Sequence, residues 1–138
     1  MQDFRRLRVW QRSHELAVDI YRSSSSFPKH EAFGLTSQIR RAGASIPTNI
    51  AEGAGRSGSA EFMRFLHIAM GSACELEYQL LLAKDLGYIE SADHQRLEAH
   101  AIDVKQMLSA LQKKVTDAGS HRQHAAGVRE DSFQWDVE

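Results

Sequence analysis

Two polar stripes at helical spacing carry most of the chemistry this 138-residue chain offers. The first is Arg41, Ser45, Asn49, Glu52 and Arg56; the second is Glu61, Ser72, Glu75 and Gln79. Each runs beside an apolar stripe of the same period. Leu35, Ile39, Ala42, Ile46, Ile50 and Gly53 form the first, and Phe62, Phe65, Leu66, Ala69, Ala73, Leu76, Leu80 and Ala83 the second. If two helices pack antiparallel across the short connection Ser57-Gly58-Ser59, then Arg41, Asn49, Glu52 and Arg56 meet Ser72, Glu75 and Gln79. Two carboxylates in such a seam, Glu52 and Glu75, are the raw material of an acid–base pair. Arg41 and Arg56 are equally placed to neutralise them, which holds both ionised and inert. The expected seam is therefore structural, a network of charge-assisted hydrogen bonds that fixes register, because an unpaired buried charge is costly. No catalytic residue is assigned, and the protein is not expected to be an enzyme.

Other site chemistries fail on spacing. A di-iron bundle needs Glu-x-x-His on two helices, but the residues three before each histidine are Gln11, Phe27, Arg64, Ser91, Leu97, Ala118 and His121, none of them acidic. His121 and His124 are helically spaced, yet they fall in a stretch expected to be a tail, so no metal site is expected. There is no HExxH, P-loop or GxGxxG, and no cofactor is implied. The single cysteine, Cys74, lies in the small-residue run Gly71-Ser72-Ala73-Cys74 and reads as a buried small hydrophobe. One cysteine excludes an internal disulfide and suits a reducing cytoplasm.

The arginines are the better lead. Arg5, Arg6, Arg8 and Arg12 crowd one end with Phe4 and Trp10 interleaved, and Arg40 stands further along. Up to Arg41 there are eight basic against four acidic side chains, so this part carries +4, and a net charge of -1 leaves -5 for the remainder. Such polarity can attract a polyanion or drive head-to-tail contact between copies. Neither an RNA-recognition signature nor a recognition-helix turn is present, so sequence-specific readout is not implied.

These residues must be positioned by helices. With 42% apolar residues and only two prolines, Pro28 and Pro47, the chain suits one all-helical domain. The spacing predicts a first helix from about Arg8 to Ser25, with Val9, Trp10, Ser13, Leu16, Ala17, Ile20 and Tyr21 facing inward. A second runs from Gly34 to Gly55. Pro47 cannot donate to the carbonyl of Gly43, so a single helix kinked there is expected, the alternative being two shorter helices broken at Ser45-Ile46. The third runs from a Ser59 cap to Leu86, with Gly87 as terminator. The fourth opens on a Ser91 cap and carries the cleanest seam, Leu97, Ala101, Val104, Leu108, Leu111 and Val115. The fold class is thus all-α, an antiparallel up-down four-helix bundle over residues 1–118. Residues 119–138 have no period and read as a flexible C-terminal tail, in which Phe133 and Trp135 among acids offer the rival reading of a short docking motif. No secretory leader or membrane-length apolar run is seen.

The runs QIRRAGASIPTNIAEGAGRS and EFMRFLHIAMGSACELEYQLLLAKDLGYI, with FRRLRVWQRSHELAVDIY upstream, are spread over about residues 4 to 115. They resemble the four-helix bundle family of the 23S rRNA intervening-sequence proteins. The resemblance implies an up-down bundle assembling as a homopentamer, and kinship with the accessory proteins of diversity-generating retroelements, which bind nucleic acid. It implies no enzymatic activity. The expectation is a non-catalytic cytoplasmic oligomer that binds RNA or DNA electrostatically through Arg5, Arg6, Arg8, Arg12 and Arg40. A protein–protein adaptor or scaffold ring is the alternative.

Overall fold

The computed structural model describes residues 2–124, with side chains through Ser120. Four helices account for most of it: α1 Arg8–Ser24, α2 Leu35–Ala54, α3 Ser59–Asp85 and α4 Ser91–His124. Short 3-10 turns at Phe4–Arg6 and Lys29–Glu31 precede α1 and α2. No strand occurs among the described residues. Each helix packs on the next in sequence, and α4 closes back on α1.

The apolar periods explain this closure. The predicted seam of α4, Leu97 through Val115, is buried throughout, as are Leu16 and Ile20 of α1, Ile39, Ile46 and Ile50 of α2, and Leu66, Leu76 and Leu80 of α3. These side chains form a single core. Of the inward assignments on α1, Trp10 holds in part, being partly buried against the core, and Tyr21 fails at 47% exposed. Both lie on the flank where α1 faces α2, and no helix covers that side.

Contacts between neighbouring helices fall in opposite numerical order. Ser45 meets Ser72 while Gly53 meets Phe65; Lys105 meets Glu77 while Gln112 meets His67; Arg12 meets Asp103 while Asp19 meets Arg96. The approach of α2 to α3 depends on Gly53. A Cβ there would sit 2.8 Å from Phe65 Cβ and 3.0 Å from Phe62 Cδ1, closer than packed atoms tolerate.

The helix ends follow local chemistry. α2 is one uninterrupted helix with Pro47 inside it, not two. Glu31 serves its start, accepting from Leu35 N at 3.1 Å and from the Tyr88 hydroxyl at 2.7 Å, which ties the first loop to the α3–α4 turn. Those two donors hold the Glu31 carboxyl below its ordinary pKa, the tyrosine contributing most. α3 ends in a Schellman motif. Gly87 takes φ 77°, its N–H reaching Lys84 O at 2.9 Å, and Tyr88 N–H reaches Ala83 O at 2.8 Å. Ser59 does not cap α3 as expected; it is the first helical residue, and the capping position falls to Gly58. α4 likewise starts on Ser91 itself and continues to His124, past the Ala118 limit that periodicity suggests. Thus 119–124, expected in the tail, are helical, and the rest of that tail, 125–138, lies outside the described residues.

Candidate functional site

The α2–α3 seam is less charged than its sequence suggests. One hydroxyl contact crosses it, Ser45 Oγ to Ser72 Oγ at 2.8 Å, and Asn49 Nδ2 braces that contact by donating to Ser45 O at 2.8 Å and Ser45 Oγ at 2.9 Å. The four charged members do not meet across the seam. Arg41 and Glu75 are exposed, while Glu52 in the last turn of α2 pairs at 3.0 Å with Arg56 in the connection beyond it, both about half exposed. The Arg56 guanidinium also lies over the Phe65 ring, 5.3 Å from its centroid. Ala42, Ala69 and Ala73 are buried, and Gly53 lies close against Phe62 and Phe65, so the two backbones approach too closely there for a buried guanidinium group. Gln79 is buried and donates along its own helix to Glu75 at 3.1 Å. Neither Glu52 nor Glu75 lines the clefts that flank α1 and the start of α2.

Charge crosses between α1 and α4 instead. Arg12 Nε donates to Asp103 at 2.9 Å and its Nη1 to Glu15 at 3.1 Å, and Arg96 pairs with Asp19. The bond to Asp103 raises the Arg12 pKa further above its ordinary value. His100, 9% exposed, donates from Nε2 to Arg12 O at 3.0 Å. Burial pushes the His100 pKa down, and the hydrogen bond offsets only part of that. Sequence reasoning missed this ionic seam. Its partners are 77 to 91 residues apart, so no local period marks them.

The arginines assigned to nucleic acid separate into two groups. Arg5, Arg6 and Arg8 are exposed at the start of α1. Arg5 pairs with Asp3 at 3.3 Å and lies over Phe4, whereas Arg6 and Arg8 have no carboxylate partner among the described residues. Arg12 is held in the ionic seam. Arg40 lies at the other end of α1, its Nε donating to Ser24 Oγ at 2.8 Å and its Nη2 to Tyr21 O at 3.2 Å. Some 14 helical residues, or about 20 Å, separate Arg8 from the level of Arg22 and Arg40. The structure thus brings Arg5, Arg6 and Arg8 together and leaves Arg40 apart.

Cys74 is exposed, not buried: it faces outward on α3 near Lys105, whose pKa is raised chiefly by its bond to Glu77. Among the described residues no three His, Cys, Asp or Glu side chains converge as a metal site would need. None of the described helices is long and apolar enough to cross a membrane.

A crystal structure of a protein with unknown function from the S23 ribosomal protein family of Bacteroides thetaiotaomicron has a similar fold, with a TM-score of 0.71 and 29% identity, over 76% of this chain and 95% of that one. No protein with a curated description matches. Residues 5–110, which hold all of α1 to α3 and most of α4, match the 23S rRNA-intervening sequence protein family, and the chain belongs to that family.

Proposed function

We propose that this protein is a non-catalytic, oligomeric helical bundle of the cytoplasm that binds RNA or DNA electrostatically through the basic end of α1. The observation that carries this reading is the exposure of Arg6 and Arg8 without carboxylate partners beside Arg5. Phosphate contact requires free cations of this kind, and it releases condensed counterions whatever the base sequence. Arg12 and Arg40 contribute less, because each would first have to give up its intramolecular bonds. The family's name refers to an rRNA insertion, which is consistent with a nucleic-acid partner. Kinship with the accessory proteins of diversity-generating retroelements belongs to the same reading.

The outer face of α3 supports self-association. Ile68, Cys74, Tyr78 and Leu81 stand exposed on its outer side, beside the charged Arg64 and Glu75. Large apolar side chains exposed along one helix suit cover by another copy. Five copies, as the resemblance implies, would repeat the arginine patch and add weak phosphate contacts by avidity. Within each copy we infer antiparallel up-down order, supported by the opposed numerical order of the cross-helix contacts, and a bend in α2 where Pro47 cannot donate to Gly43.

Binding of a structured RNA is expected to weaken steeply with salt, and the Arg6→Ala/Arg8→Ala double variant should lower the slope of log K against log salt by about two. Absence of binding at low salt, or a slope of zero, would reject the nucleic-acid role. The adaptor reading then predicts a protein partner that survives pull-down from nuclease-treated lysate. Native mass spectrometry checks the copy number.

A further inference from the structure

An open apolar groove of about 700 Å³ runs between α1 and α2 on the flank that no helix covers. Phe4, Trp10, His14, Val18, Tyr21 and Pro47 line it. Trp10 and His14 stack with centroids 5.1 Å apart, and Phe4 meets Trp10 edge-on at 4.8 Å. Its borders are cationic. Arg22 is part of the lining, the Arg5 guanidinium lies 4.6 Å from the Phe4 centroid, and that of Arg40 lies 5.0 Å from the Tyr21 centroid. No carboxylate lines the groove. Its ligand should therefore combine apolar or aromatic groups with negative charge.

Residues 130–138 of this chain, EDSFQWDVE, have that chemistry. The segment holds four acids and no base, with Phe133 and Trp135 two positions apart. In an extended backbone such a pair shares one face, about 7 Å apart, a spacing that suits a row of aromatic side chains along a helix pair. We propose that Glu130–Glu138 occupies the α1–α2 groove of its own chain, with Phe133 and Trp135 packing on Trp10, His14 and Tyr21 and the acids facing Arg5, Arg22 and Arg40.

Reach permits this. The C-terminal part of α4 lies at the same end of the bundle as the mouth of the groove. Ser59 Oγ lies 3.4 Å from where a Cβ on Gly119 would sit, and at that end Gln2 N–H donates to Ala54 O at 3.2 Å, just ahead of Phe4. From His124 to Phe133 an extended chain spans about 30 Å, enough to pass α1 and reach Trp10. Nucleic acid would satisfy the arginines but not the apolar lining, whereas the segment satisfies both. The inference does not depend on whether RNA or DNA is bound.

A nitroxide on Glu138→Cys in a Cys74→Ser background of the full chain tests it. Amide resonances of Trp10, His14, Tyr21 and Thr48 are expected to lose most of their intensity, while Tyr78 and Ile102 on the opposite side keep theirs. The added pair Phe133→Ala/Trp135→Ala should restore the groove resonances. Uniform weak broadening, or broadening centred on another face, would overturn the proposal. A sample mixing spin-labelled, isotope-free chains with label-free, isotope-enriched ones reports contact between copies. Groove broadening there would assign the occupant to a second copy and refute the intramolecular form.

Discussion

The α2–α3 and α1–α4 seams hold the same bundle by different means. Across α2–α3 small residues let the backbones approach, Gly53 meets two phenylalanines, and the hydroxyls of Ser45 and Ser72 meet each other. Across α1–α4 long charged side chains span the gap, with the guanidinium of Arg12, the carboxylates of Asp19 and Asp103, and a buried imidazole. Polar residues at helical spacing show that a seam is wet, but the size of the neighbouring residues decides whether charges can cross it. Close backbones exclude guanidinium groups, and Arg56, in the connection after α2, pairs back with Glu52 on the same side of the seam. The contrast makes the first seam sensitive to volume and the second to pH and salt.

The largest expected effect is on volume. Gly53→Val places atoms where Phe62 and Phe65 already sit and should cost about 2–3 kcal/mol, read as a lower urea midpoint at unchanged slope. Ala99→Val, on the exposed edge of the ionic seam, should stay within about 0.5 kcal/mol. Equal losses from the two variants would erase the distinction between the seams.

Acidification tests the ionic seam next. The His100 pKa is lowered by burial from its ordinary 6.5, opposed by its bond to the Arg12 carbonyl, lowered further by the Arg12 charge, and raised slightly by Asp19 and Glu15. The unfolded chain therefore takes up this proton first. The stability it contributes is complete above 6.5 and is lost as pH falls through the folded value. Asp103 and Arg96 share the same cleft, so the charges facing the ring from α1 and α4 are mixed in sign. Going from about pH 7.5 to about pH 5, the wild type should lose more Tm than His100→Gln, which keeps a donor for the Arg12 carbonyl. A parallel decline in both proteins would remove His100 from the account.

Much of this arrangement is legible in the sequence, and the exceptions have causes. The α4 seam from Leu97 to Val115 is buried throughout, because a strict apolar repeat needs no knowledge of the partner. Helix limits at Arg8, Ser59 and Asp85 fall where turn residues put them, within a residue or so. Tyr21 and Cys74 are misplaced because residue type says how apolar a side chain is, whereas exposure depends on which flank a neighbour covers. The Arg12–Asp103 bond is illegible for a related reason: its partners lie 91 residues apart, and only the packing register of α1 on α4 brings them within reach. Arg40 belongs to the basic list by charge, yet its place at the far end of α1 follows from how α2 packs there.

The smallest expected effects are the most discriminating, because two double-mutant cycles can be compared in salt. Ser45→Ala with Ser72→Ala removes a partly buried hydroxyl pair, for which a coupling of about 1 kcal/mol is expected. Neither group is charged, so that coupling should be the same at low and high salt. Arg12→Ala with Asp103→Ala removes a pair whose side chains are 40% and 46% exposed. Solvent screening limits such a pair to about 0.5 kcal/mol, and a shortened Debye length at molar salt should bring it close to zero. The Asp103 variant also frees the Arg12 guanidinium from its strongest partner while Glu15 remains. If Arg12 then becomes available to phosphate, Asp103→Ala should strengthen RNA binding at low salt even as it slightly weakens the fold. Matching salt responses in the two cycles would mean that the seams differ in residue type but not in what holds them.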